Sequence, residues 1–494
     1  MKRVLSLVLL IICSVSVFSQ NLPVAYDSIV FSSRKYANGN TYQKDLLLYA
    51  NMLAKTHPYY DSEQHCRQLE KRVRTLYKDF NNIESIDDFR IRLQKEVSSL
   101  NDAHTSIYLG ITPILLYPVI LEIDTNKTAI ILSADENISH IIGKRVNKIN
   151  GLKVNEVLQK ASQIISHDND IFLCNILQQY FQIKKFWDIC TPGYETLDLT
   201  FSDGTTIILK PESRDKIKHL PRTQNDSGFM DQQSEFFCHK IFKDESICYL
   251  QFNRFADRIT HPHMKQLPRF DNYIEQLMKE ISEKAVKTLI VDLQYNGGGN
   301  CTLGDVLLSW LSPIDSLKGY SVAVRMSDLL LKTQPDFKNV KLKDGTSYYL
   351  GKIYNLWDFD WETLYSSNSG TEVSHSVDTT KHRFNNDPNK IFNGNIIFIE
   401  GRGSYSSSGL LLTTARDNGI GTIIGEVSGD KPSKYGDILQ CVLPNTNTRC
   451  LISCRHFIRP NEQLINEEVL VPDILLNLDD KDETWKWIIS SYGK

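Results

Sequence analysis

After its N-terminus the 494-residue chain lacks any long apolar run, so no later segment is long and apolar enough to span a bilayer. It also lacks a basic excess. The 56 Lys and Arg stand against 59 Asp and Glu, a formal charge of −3, and that balance excludes the electrostatic footprint of a nucleic-acid binder. Neither CxxC nor Cys/His metal spacing occurs among the ten cysteines, which argues against a zinc site. Setting Cys13 aside leaves nine, and an odd, scattered set argues against a full disulfide framework. Cys441, Cys450 and Cys454 are close enough in sequence for one pair to bridge in an oxidising compartment. Internal repeats and long low-complexity segments are absent too.

What the chain does have begins with a leader. Lys2 and Arg3 precede apolar residues from Val4 to Val17, followed by small and polar ones, the pattern of a cleavable secretory signal over 1–20. Cys13 raises lipid attachment as an alternative, but Ile11 and Ile12 before it are not the small residues that such a site uses. The mature protein is expected to be soluble and exported, periplasmic or extracellular, and with 41% hydrophobic residues it can bury two or three cores.

The chemistry concentrates in 395–431. A buried strand (Ile396, Ile397, Phe398, Ile399) runs into a Gly/Ser turn, then a helix carrying Leu410, Leu411, Leu412 and Ala415, then a second apolar strand entering Gly425-Glu426. Ser404, Ser406, Ser407 and Ser408 therefore lie where a strand hands over to a helix N-terminus. Unpaired N–H groups and the helix dipole favour developing negative charge there, so the place suits a nucleophile; a helix cap is the plain structural alternative. Upstream, the strand TLIVD ends at Asp292 and runs into Asn296-Gly297-Gly298-Gly299. No Lys-Ser/Thr pair follows the glycines as a P-loop needs, and their order is not the dinucleotide fingerprint. A glycine-built oxyanion hole fits better, since glycine lets backbone N–H groups approach a ligand closely. Lys431, 25 residues after Ser406, can act as a general base if desolvation makes it neutral.

TLIVDLQYNGGG, the serine turn followed by LLLTTARDNGIGTIIGE, and Lys431 resemble the tail-specific, or C-terminal processing, serine proteases. The resemblance implies an α/β fold with a ClpP/crotonase-like ββα superhelical core, Ser406 as nucleophile, Lys431 as base, backbone N–H groups of Gly298 and Ser407 as the oxyanion hole, and no metal or cofactor. Processing proteases commonly place a Gln four residues after the lysine; here that position is Tyr435. Asp102-Ala103-His104-Thr105 resembles the motif that precedes the PDZ-like part of this superfamily. A His at its third position marks the tricorn-like branch, where it is the base. His104 is thus the second candidate base, and a buried histidine satisfied by Asp102 or backbone is its structural alternative. Between the two, lysine is favoured on spacing.

The remaining organisation follows in order. Residues 21–110 are expected to be helix-rich, 111–215 a PDZ-like domain of short strands, 216–235 a linker, and 236–494 the peptidase core with an insertion at about 318–390. The Ile141-to-Gly151 stretch and the following helix suggest the PDZ-like module, whose strand edge could capture an extended peptide, although a Gly-Leu-Gly-Phe-like carboxylate loop is missing. The expected partner is a protein or peptide substrate, with no nucleic acid. A catalytically silent peptide-binding protein on the same fold is the alternative of a different class.

Overall fold

A computed structural model describes residues 38–124, 126–221, 230–313, 316–363 and 381–493. The leader at 1–20 lies outside them. Among the described residues, no helix is long and apolar enough to cross a membrane.

The centre is a six-stranded sheet. Phe237–Phe242 pairs antiparallel with Ile247–Phe252, which is followed in parallel by Thr288–Asp292, Asn395–Glu400, Thr422–Gly425 and Ile474–Leu475. Both faces are covered, which is why these strands read as unbroken apolar runs. Cys248, Leu250, Phe252, Leu289, Val291 and Phe398 point to one side, under the helices Phe270–Glu283, Thr302–Leu308 and Ser407–Asp417. Ile247, Tyr249, Ile290, Ile397, Ile399 and Ile424 point to the other, where Ile488 of the C-terminal helix Lys481–Tyr492 closes the layer.

A second, antiparallel sheet is built on the long hairpin Lys434–Leu443 and Thr448–Ile458, with Ser106–Ile107, Ser321–Arg325 and Ile353–Asn355. The N-terminal helices Thr41–Thr56, Glu63–Asp79 and Ile86–Ser98 lay their apolar stripes on it. Leu46, Leu53, Phe89, Leu93 and Val97 share one core with Val324, Leu443 and Ile452. Cys441 and Cys450 lie directly opposite each other in the hairpin, both buried and both unbridged.

Residues 119–221 form a third sheet of seven strands, covered by Val154–Ala161, Asp170–Tyr180 and Lys184–Cys190 around their own core. Its last strand, His219–Pro221, pairs with Ala129–Asp135, so the stretch expected as linker begins inside this unit. The expected insertion is different too. Ser321–Arg325 is an integral strand of the second sheet, with Val322 and Val324 buried on alternate positions, because two valines suffice for a half-buried strand inside a polar stretch.

Candidate active site

Ser406 sits between the strand Asn395–Glu400 and the helix Ser407–Asp417, as the residue before the first helical turn. Its backbone adopts φ +60° and ψ −117°, a conformation costly for a residue with a side chain, on the order of 1–3 kcal/mol, and one that persists only when its surroundings hold it. The surroundings are specific. The Ser406 N–H donates to Asp430 Oδ1 at 3.2 Å, and its carbonyl accepts from Lys434 Nζ at 3.1 Å. Lys434 and Asp430 form an ion pair whose side chains are 2% and 3% exposed. Gly409 makes room for that pair: a Cβ there would fall 1.5 Å from Asp430 Oδ2.

The neighbouring serines have other tasks. Ser404 Oγ donates to the Leu293 carbonyl at 2.8 Å and accepts from the Gly401 N–H, while Ser407 Oγ donates to the Gly299 carbonyl at 2.6 Å. Ser408 Oγ is buried without a hydrogen-bond partner among the described residues. Ser406 Oγ alone among the four meets a titratable side chain, His104 Nε2 at 3.0 Å. The two are 302 positions apart in sequence.

His104 follows the helix Ile86–Ser98 and precedes the strand Ser106–Ile107, which pairs with Thr448–Ile458 and so carries the histidine to the end of the second sheet. Burial lowers its pKa to about 4, Lys434 adding to the effect and Asp102 opposing it. At neutral pH the imidazole is therefore uncharged, the state a general base requires. Its Nδ1 lies 2.8 Å from the Tyr405 hydroxyl, and the two rings stack with centroids 4.8 Å apart.

Asp102 is not its partner in the usual sense. Its Oδ2 receives Nε2 of the buried His57 at 2.9 Å and the hydroxyls of Thr105 and Ser453, and its Oδ1 accepts the backbone N–H of His104. His104 Nδ1 stays 3.8 Å from that carboxylate. Burial alone would push the Asp102 carboxyl up; the His57 hydrogen bond and charge hold it well below the usual range. The histidine that pairs with Asp102 is thus His57, to which the sequence reading assigned no role.

Lys431, the base favoured from spacing, is elsewhere. Its Nζ pairs with Glu468 Oε2 at 2.7 Å, with the side chains 26% and 62% exposed. The lysine beside Ser406 is Lys434, three residues on, and it is held by Asp430 and the Ser406 carbonyl. Tyr435 packs between the rings of His57 and His456 rather than on a lysine. Glu426, just after the strand Thr422–Gly425, meets Arg402 at 3.2 Å.

Gly298 is brought against the serine. A Cβ on it would lie 2.8 Å from Ser406 Cβ, and its φ of +97° favours glycine. Its N–H, however, donates to Asn296 Oδ1 at 2.9 Å. The backbone N–H of Ser407, at the first position of the helix, has no acceptor among the described residues. No cluster of His, Cys, Asp and Glu that could hold a metal ion occurs among the described residues.

Residues 246–476 match the model of peptidase family S41. Among solved structures, mature CPAF complexed with lactacystin superposes with TM-score 0.59 at 15% identity, covering 91% of this chain and 97% of that one. Mature CPAF gives TM-score 0.60 at 14% identity, covering 91% and 95%. A putative S41 protease from Bacteroides fragilis NCTC 9343 covers 90% and 92% at 12% identity, with TM-score 0.38. No curated protein matches the sequence. At such identities the CPAF structures speak for the fold alone, and the family model supplies the rest. Residues 246–476 thus carry a domain of peptidase family S41, the family of the tail-specific or C-terminal processing serine proteases, and the chain is a serine-type peptidase.

Proposed function

We propose that the protein is an exported endopeptidase that cleaves through an acyl-enzyme on Ser406 with His104 as general base. One observation carries this reading: Ser406 Oγ, held in a strained turn before a helix N-terminus, lies 3.0 Å from Nε2 of a histidine that burial keeps neutral. Ser406 Oγ attacks the scissile carbonyl as its proton passes to His104 Nε2. The imidazolium returns that proton to the leaving amine, and the same histidine then draws a proton from the water that releases the acyl group. The Ser407 N–H is available to the oxyanion from the start. Gly298 can contribute only by exchanging its Asn296 bond for one to substrate. Export rests on the leader sequence at 1–20.

The Ser406–Lys431 dyad expected from spacing has no comparable support, because the Lys431 ammonium is engaged by Glu468. The reading is tested with a serine-directed fluorophosphonate probe and a peptide mixture. Wild type should be labelled and should cleave; Ser406→Ala and His104→Ala should do neither at a comparable rate. Normal turnover in His104→Ala would overturn the reading.

A further inference from the structure

A serine–histidine pair works only if the imidazole presents the right nitrogen. For Nε2 to take the Ser406 proton, the proton of neutral His104 must reside on Nδ1, and something must accept it there. The carboxylate that the Asp102-Ala103-His104 sequence suggests is out of range at 3.8 Å and is saturated by His57, Thr105, Ser453 and the His104 backbone. The side chain within hydrogen-bond distance of Nδ1 is Tyr405, at 2.8 Å.

A phenol can either donate to Nδ1 or accept from it, and the first choice would give the unproductive tautomer. What decides is where its own proton goes. The Tyr405 hydroxyl faces the Asp168 carboxyl. Asp168 is buried; its Oδ1 accepts the Ala103 N–H at 3.1 Å, and its Oδ2 has no hydrogen-bond partner in good geometry among the described residues. Burial, with the Asp102 and Asp430 charges, raises the Asp168 carboxyl to about 8; it is the ionised form whose orphan Oδ2 needs a donor, and the phenolic O–H is the donor at hand. Burial, together with the neighbouring Asp168 carboxyl, keeps the Tyr405 phenol protonated by raising its pKa well above 10. Tyr405 is also fixed in place: its N–H donates to the Asn296 carbonyl at 3.0 Å, and its ring lies 4.5 Å from that of Phe172.

We propose that Tyr405 is the positioning residue of this site: its oxygen accepts the His104 Nδ1–H while its hydroxyl donates to Asp168, so that Nε2 is left free for the Ser406 proton. The relay runs Ser406, His104, Tyr405, Asp168. No covalent change occurs in Tyr405 or Asp168. They fix one tautomer and set a buried carboxyl behind the imidazolium that forms during acyl transfer. Asp168 comes from the seven-stranded unit, on the turn before the helix Asp170–Tyr180, so that unit completes the catalytic arrangement as well as flanking it. The carbonyl of Tyr435 also faces the His104 ring and is the competing acceptor.

The inference rests on the Ser406–His104 reading, and its test separates the two. Tyr405→Phe keeps the ring contacts with His104 and Phe172 and removes only the hydroxyl. Steady-state kinetics on one peptide should show kcat reduced on the order of 10²-fold with KM within about twofold, a part of what general acid–base catalysis supplies. In 15N spectra the His104 imidazole should move from the Nδ1–H tautomer in the wild type to a mixture in Tyr405→Phe. Asp168→Asn should lower kcat in the wild-type background and hardly at all in Tyr405→Phe, because the carboxyl acts through the phenol. An unchanged kcat and tautomer in Tyr405→Phe, with His104→Ala inactive, would overturn the relay in favour of the Tyr435 carbonyl while leaving the base assignment standing. Equal losses from Asp168→Asn in both backgrounds would also overturn it. An active His104→Ala would instead remove the reading beneath it.

Discussion

The six-stranded sheet and the hairpin sheet each deliver one partner of the Ser406–His104 pair, and they do so in opposite ways. Ser406 is produced locally: strand, turn and helix occupy one stretch of chain, and Asp430 and Lys434, also close in sequence, brace the turn. His104 is produced by long-range assembly. It reaches the serine only because Ser106–Ile107 pairs with a strand about 350 positions later, Ser106 opposite Leu451. A candidate nucleophile can therefore be specified by a short motif, whereas the base proposed for it here is specified by the register of two distant strands.

That contrast can be broken most severely at the serine. Ser406→Ala should lower kcat/KM by about 10⁴-fold or more with an unchanged melting temperature, since it removes the covalent route and one hydroxyl from a turn. Residual peptidase activity near wild type would place the nucleophile elsewhere. Next comes Gly298→Val. Its Cβ would collide with Ser406 Cβ and the Tyr405 carbonyl, at 2.8 Å each, in a backbone conformation that disfavours side chains. Turnover should fall about 10²-fold or more, and a stopped-flow or steady-state rate close to wild type would dissociate the glycine from the serine.

A third change separates bracing from chemistry. Lys434→Met leaves Asp430 buried without its counter-ion, and denaturant unfolding should show a loss of about 3–5 kcal/mol. Acid pH gives a gentler probe. Because burial holds His104 at about 4, the rise in log kcat/KM that its deprotonation causes should fall in that region and be complete by pH 6.5. Stability follows the same window. Between pH 6.5 and 4 the unfolded chain binds a proton that the folded His104 refuses, so this group's effect lowers stability as pH falls through it. A rate profile still rising steeply at pH 6.5 would mean that His104 is less buried in solution than this account requires.

How much of this was legible in the sequence follows the same division. The parallel strands and the helix after the serines came from contiguous apolar and glycine patterns, and the choice of Ser406 among the serines from the resemblance to the processing proteases. Three consecutive glycines and a strand-to-helix serine turn are local facts. The choice between Lys431 and His104 could not be made locally. Spacing singled out Lys431, but the turn through Pro432 sends that side chain to Glu468 and brings Lys434 under the serine instead. The i, i+4 opposite charges of Asp430 and Lys434 were an available signal. Tyr405 and Asp168 had none, because an aromatic beside a nucleophile and an acid in a polar loop gain meaning only when three sheets converge. The second-sheet strand Ser321–Arg325 was hidden for a related reason: its longer partner, Thr448–Ile458, begins more than 100 residues later.

The base assignment is the claim on which the account turns, and it is tested most directly by measuring kcat/KM for His104→Ala and Lys431→Ala on the same peptide. His104→Ala should lose about 10³-fold or more, as the loss of a general base implies. Lys431→Ala should stay within about threefold, since it removes a half-exposed ion pair with Glu468 worth at most about 1 kcal/mol. The reverse pattern, an inactive Lys431→Ala beside a nearly normal His104→Ala, would contradict the account and return the role to the lysine.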